Sequence, residues 1–198
     1  MEFASKLRWG MVIVIVTIAL LLIGWGMFSI ARSIFDSGSS SSNNTSTESD
    51  EVTLVEDANV ARYSVDGPVV ANEDHRSYEI EVTSGVVEMT VYKSYGSEVV
   101  SRKSYPNTNA AHDAFMSSLA SLNVTDRRDG TTLDDDFAEQ GVCPSGRRRV
   151  LELDDNIRRW SATCSNRVGT ADFSMSSVER LFRRQVPDFS ELVQGTGL

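Results

Sequence analysis

Lysine is nearly absent from this chain. Lys6, Lys93 and Lys103 are the only three in 198 residues, and every other basic residue is arginine. Acidic residues outnumber basic ones, 28 to 19, for a net charge of −9. That balance excludes a general nucleic-acid binder, whose affinity comes from neutralising phosphates. There is no Gly-x-Ser-x-Gly, no Ser-x-x-Lys, no Walker loop and no His-Glu-x-x-His. Serine hydrolases, penicillin-binding enzymes, nucleoside triphosphatases and the common zinc proteases therefore have no support.

Charge is also absent from one long stretch. From Trp9 to Ala31 the sequence WGMVIVIVTIALLLIGWGMFSIA has no ionisable side chain. At 1.5 Å per residue such a helix reaches about 34 Å, enough for a hydrocarbon core of roughly 30 Å. Lys6 and Arg8 precede it, whereas Arg32 on the far side is soon followed by Asp36 and then Glu48, Asp50, Glu51, Glu56 and Asp57, so the N-terminus is expected in the cytoplasm and the remainder outside. Ser29-Ile30-Ala31 is a small-x-small site, which leaves a cleaved signal peptide as the alternative. Either reading exports the rest of the chain. The expected organisation is a cytoplasmic N-terminus (1–8), a transmembrane helix (9–31), an acidic, Ser-rich tether (32–57) and one extracytoplasmic domain (58–198). The tether segment SGSSSSNNTSTESD lacks apolar residues and cannot offset its own ordering entropy.

Only two cysteines occur, Cys143 and Cys164, both on the exported side. A disulfide is the default there, closing a loop of about 20 residues worth on the order of 3 kcal/mol. Asn44-Thr45-Ser46 and Asn123-Val124-Thr125 match the glycosylation sequon, which matters only in a glycosylating export pathway.

Within the domain, apolar residues alternate in Ser77–Thr83 and again in Val86–Tyr92, where Val87, Met89 and Val91 share a face. With Val60–Val65 before them and Ser97–Tyr105 after, these segments read as strands of an antiparallel meander. Asn107 or Asn109 can cap a helix from Ala110 to about Leu122, with a stripe of Ala111, Ala114, Phe115, Leu119 and Leu122. Arg147–Asp154 and Ile157–Cys164 read as a second hairpin turning at Asp155-Asn156, a register that sets Leu151 opposite Trp160 and Glu152 opposite Arg159. Ser176-x-x-Glu179 is a capping-box signature for a last helix carrying Val178, Leu181, Phe182 and Val186, stopped by Pro187. The fold class is α+β: an antiparallel sheet with two helices on one face, behind one transmembrane helix.

Three candidate chemistries follow. The end of the second hairpin, Trp160-Ser161-Ala162-Thr163-Cys164, resembles the nucleophile strand of sortases, which are membrane-anchored cysteine transpeptidases. That resemblance implies Cys164 as nucleophile, His112 or His75 as acid–base partner and Arg167 or Arg180 as oxyanion stabiliser. A structural Cys143–Cys164 disulfide competes with it. His75 with Glu73 and Asp74, and Asp134-Asp135-Asp136 with Glu139, lack recognised metal-ligand spacing; neither a metal nor a cofactor is expected. Arg147, Arg149 and Arg158 concentrate positive charge on one hairpin, and their guanidinium forks suit the phosphates or carboxylates of an envelope polymer. The competing role is cross-strand pairing with acids.

The layout of a cytoplasm-in anchor, a Ser-rich tether and a small disulfide-closed domain resembles that of signal-anchored surface proteins of bacteria with no assigned activity. GPVVANEDHRSYEIEV, GVCPSGRRRVLEL and RWSATC carry the likeness. It implies a plasma-membrane location and no mechanism. The expected function is a non-enzymatic binding domain, with the bilayer and a surface protein or anionic envelope polymer as partners.

Overall fold

A computed structural model describes residues 54–138, 143–154, 156–164 and 168–198. The expected membrane segment, most of the tether, Asn44, Glu139 and Arg167 lie outside these residues. Among the described residues no helix is long and apolar enough to cross a membrane.

Six antiparallel strands form one sheet in the order β4-β3-β2-β1-β5-β6. They are β1 (Val60–Asp66), β2 (Arg76–Thr83), β3 (Val86–Lys93), β4 (Glu98–Pro106), β5 (Arg148–Leu153) and β6 (Ile157–Ala162). The meander and the second hairpin are thus halves of a single sheet, joined where β1 pairs with β2 on one side and β5 on the other. Tyr63 stands opposite both Ile80 and Leu151. Side chains alternate faces along a strand, so Ala61, Tyr63 and Val65 share one face with Tyr78, Ile80, Val82, Leu151 and Leu153, and all are buried.

Two helices cover that face. Helix α1 (Asn109–Ala120) is capped by Thr108, whose hydroxyl accepts from the Ala111 amide, not by Asn107 or Asn109. Its buried stripe is His112, Phe115, Met116, Leu119 and Ala120; the expected Ala111 and Ala114 are exposed. Helix α2 (Met175–Arg184) is capped by Ser174, which accepts from the Ser177 amide, so the register starts two residues before the expected Ser176. Phe182 of α2 stacks on Tyr63 at 5.3 Å and meets Phe115 of α1 edge-on at 5.0 Å. The one-turn helix α3 (Phe189–Leu192) follows Pro187 and sets Phe189 against Tyr78.

The second hairpin is shifted by one residue from the expected pairing. Leu153 pairs with Ile157, which leaves three residues in the connection, and so Leu151 faces Arg159 and Glu152 faces Arg158. The cause is Asp154, held at φ 46° while its carboxylate accepts from the Asn59 and Val60 amides. A one-residue slip exchanges the faces. Trp160 and Val150 therefore lie on the side away from the helices, in a small second cluster with Cys143 and Ala162.

The two edges differ. Backbone bonds from the 168–171 segment, Thr170 and Ala171 to the Trp160 carbonyl among them, cover β6. Edge strand β4 keeps an exposed face but carries Arg102, Lys103, Pro106 and a bulge at Val100, devices that discourage strand-to-strand association.

Phe182 is fully buried between the sheet and α1. Phe182→Ala is expected to cost about 3–5 kcal/mol in denaturant unfolding, whereas Val99→Ala at the exposed edge should cost under about 0.5 kcal/mol.

Candidate functional site

The disulfide forms: the Cys143 and Cys164 sulfurs are bonded, with Cα atoms 5.9 Å apart. Gly146 lets the arm pass, because a Cβ there would lie 2.4 Å from the Cys143 sulfur and 2.9 Å from the Cys164 amide. Cys164 in this bond has no thiol to ionise. His112 is buried on α1 with its Nδ1 3.9 Å from Asp113, and Arg180 donates to the Ser177 hydroxyl. No hydrogen bond or ion pair joins any two of Cys164, His112 and Arg180 among the described residues.

The aspartate run does not converge. It forms a 3-10 turn, Asp134–Phe137, in which Asp135 accepts from the Thr132 amide and hydroxyl. Those bonds hold its carboxyl below the usual range. Asp136 is buried between the guanidinium groups of Arg127 and Arg159. Among the described residues no group of three or more His, Cys, Asp or Glu is placed to hold a metal ion.

The hairpin arginines are matched by groups of their own protein. Arg158 pairs with Glu152, donates to the Asp136 carbonyl at 3.0 Å and lies over the Phe137 ring. Arg147 donates to the Gly197 carbonyl at 2.7 Å. Arg148 is 3.5 Å from Asp66. Arg159 was expected to meet Glu152; the register shift turns it to the helix side, where it donates to the Thr125 carbonyl and Asp136.

Arg149 points to the same face and meets Glu179, 3.3 Å away in an ion pair not aligned as a hydrogen bond. Glu179 is therefore not the helix-capping group its sequence position suggests. Its carboxylate, only 17% exposed, receives long hydrogen bonds from the Tyr63 and Tyr78 hydroxyls and an ion pair from Arg183 at 3.7 Å. Burial, then the Glu179 charge, pushes both phenols well above the ordinary tyrosine value.

Above this network, Arg180, Arg183 and Arg184 occupy positions i, i+3 and i+4 and so share one helix surface. With Val186, Pro187 and Phe189 they line an open cleft of about 290 Å³. The Arg183 guanidinium lies over Phe189, 4.3 Å from the ring centre. Arg183 and Arg184 stand in the last helical turn, where carbonyl dipoles favour cations. The nearby Asp188 is directed to Lys103 and Tyr105. Among the described residues no acidic side chain meets Arg180 or Arg184. Sequence alone could have signalled this cluster through its i, i+3, i+4 spacing; the cleft needs the turn at Pro187 that brings Phe189 back.

No protein-family model matches the chain, and comparison with curated proteins finds none similar to it.

The tyrosines report on the network beneath the cleft. A phenol whose folded value is raised stabilises the fold below the unfolded value of about 10, and that stability is lost as pH rises beyond it. In a titration followed by phenolate absorbance, Tyr63 and Tyr78 should ionise only as the protein unfolds. Glu179→Gln should narrow that lag and lower stability by about 1–3 kcal/mol, since Arg149 loses its partner.

Proposed function

We propose that this is a single-pass membrane protein, N-terminus inside, that presents residues 58–198 at the cell exterior to bind an anionic envelope polymer. The observation that carries the binding reading is the cleft of Arg180, Arg183 and Arg184, two of them without an acidic partner among the described residues. An arginine fork offers two parallel donors to a phosphate or carboxylate. An open cleft suits a passing chain of such groups better than an enclosed small molecule. The hairpin arginines first singled out, Arg147, Arg149 and Arg158, serve the fold instead, through Gly197, Glu179 and Glu152.

Export is supported by the disulfide, which persists in oxidising compartments, and by the uncharged run Trp9–Ala31 with its basic N-terminal flank. Engagement of Cys164 in that disulfide favours binding over the sortase-like transpeptidase.

Protease added to intact cells should remove a C-terminal epitope, while an N-terminal epitope stays protected; an inaccessible C-terminus would refute the topology. The purified full-length chain in zwitterionic nanodiscs should bind long-chain inorganic polyphosphate, with affinity falling as salt rises. Arg180→Gln/Arg183→Gln/Arg184→Gln should weaken it by about tenfold or more, roughly 1.4 kcal/mol, and Arg147→Gln by less than about twofold. Equal affinity of the triple variant and the wild type would remove the cleft as the site.

A further inference from the structure

The strongest unexplained group lies in the loop between β1 and β2. His75 is 2% exposed, and neither ring nitrogen has an aligned hydrogen-bond partner among the described residues. Its imidazole lies flat against Tyr95, 3.8 Å between ring centres and 14° from parallel. Tyr95 belongs to the turn between β3 and β4, where it and Ser94 both hold φ 55°. Left-handed backbone at two successive side-chain-bearing residues persists only when surrounding contacts enforce it. The enforcing contacts are visible. The Tyr95 hydroxyl donates to the Val70 carbonyl at 2.8 Å and accepts from the Val70 amide at 3.1 Å, and the Ser94 amide donates to the His75 carbonyl. The Val69 amide in turn donates to the Pro144 carbonyl, beside the disulfide.

We propose that His75 and Tyr95 form an acid-released clasp: the neutral imidazole lets Tyr95 hold the 67–76 loop against the sheet, and protonation of His75 frees the loop. The ring is seated where a second proton gains little. It is buried, neither nitrogen has an aligned hydrogen-bond partner among the described residues, and the positive charges of Arg148 on β5 and Arg76 on β2 oppose a further one. Asp66 of β1 is the facing acid, and Arg148 already neutralises it at 3.5 Å. The Gly67 backbone lies close to the ring and weakly favours its proton. Glu73 and Asp74, in the loop itself, are exposed, and Tyr95 supplies only its ring face. Burial first, then the two arginines, lowers the His75 value against partial opposing effects of Asp66 and the Gly67 backbone. The sign follows from linkage: the open loop takes up the proton more readily, so closure is complete above the free-histidine value of about 6.5 and weakens as pH falls below it. A domain displayed outside the cell would meet such acidification directly, although the clasp itself depends on no particular topology or ligand.

Amide hydrogen exchange on the full-length chain tests this at Val69, His75 and Ser94, whose N–H groups close the loop. Between about pH 7.5 and about pH 5, after correction for intrinsic rates, their opening should rise at least about fivefold, and by no more than tenfold per pH unit because one proton is involved. Amides of Tyr63 and Ile80 in the central strands should not follow. In His75→Phe, which keeps a flat ring and cannot titrate, the dependence should vanish; its persistence would overturn the proposal, as would a pH-independent wild type. Tyr95→Phe is the second arm and leaves the core untouched. Without the hydroxyl contacts to Val70 the loop should open at neutral pH, and the ring-proton NMR titration of His75 should move towards the free-histidine value. A titration unchanged in Tyr95→Phe would equally reject the clasp.

Discussion

The constraint on which most of this structure depends is the position of β1 between two hairpins. From Ala61 to Asp66 every residue of β1 has a partner on both sides, so its side-chain parity is imposed on β2 and β5 at once. Tyr63 faces the helices, and Ile80 and Leu151 must face them too. Two residues along β5, Arg149 is carried onto the same apolar face, opposite Val65. A guanidinium placed there needs a charge partner, because an uncompensated buried charge costs several kcal/mol. Glu179 supplies it from α2, and in doing so fixes the rotation of that helix. Phe182 is then set on Tyr63, and Arg180, Arg183 and Arg184 are turned outward.

Much of this order is legible in the sequence, and the parts that are not have identifiable physical causes. The meander strands are evident because alternation in Tyr78, Ile80 and Val82 admits only one periodicity. The cysteine pair follows from the small number of cysteines and the expected compartment. The second hairpin is misread by one residue because Asp155-Asn156 can serve as a two-residue turn, and nothing local shows that the Asp154 carboxylate will accept from Asn59 and Val60. That contact spans more than 90 residues of chain. The stripe of α1 is misplaced for a different reason. Alanine contributes little to either side of a helix, so the choice falls to Met116 and His112, and burying a histidine in the core is an outcome that hydropathy does not suggest.

The same distinction between local and long-range information separates the two arginine clusters. On the hairpin, density of charge in the sequence is a poor guide to availability. Cross-strand Glu152, Glu179 from the helix and Asp136 from the polar loop each reach one of those arginines. The α2 cluster is less conspicuous in the sequence, being interrupted by Leu181 and Phe182, yet the helix repeat gathers it on one surface. What keeps it available is the competition for acids nearby: Glu179 is drawn inward by two phenols and Arg149, and Asp188 is drawn sideways by Lys103. In a protein with excess negative charge, Arg180 and Arg184 meet no acidic side chain among the described residues, and Arg183 has only a 3.7 Å ion pair with Glu179, because the nearest carboxylates have more demanding partners.

The disulfide arm has a role beyond closing a loop. Its Pro144 carbonyl receives the Val69 amide, its Arg147 side chain holds the Gly197 carbonyl, and Leu198 lies near Gly67. The 67–76 loop, the chain end and the arm therefore meet around one covalently fixed segment. A loop that closes against a fixed wall can open without dismantling the sheet, since the bonds of Val69, Val70 and Ser94 that close it are not among the β1–β2 and β1–β5 pairings. Local opening of this kind has a free energy set by few contacts and lies well below the global value. A single buried imidazole, too weak a lever to unfold the domain, is strong enough to act there.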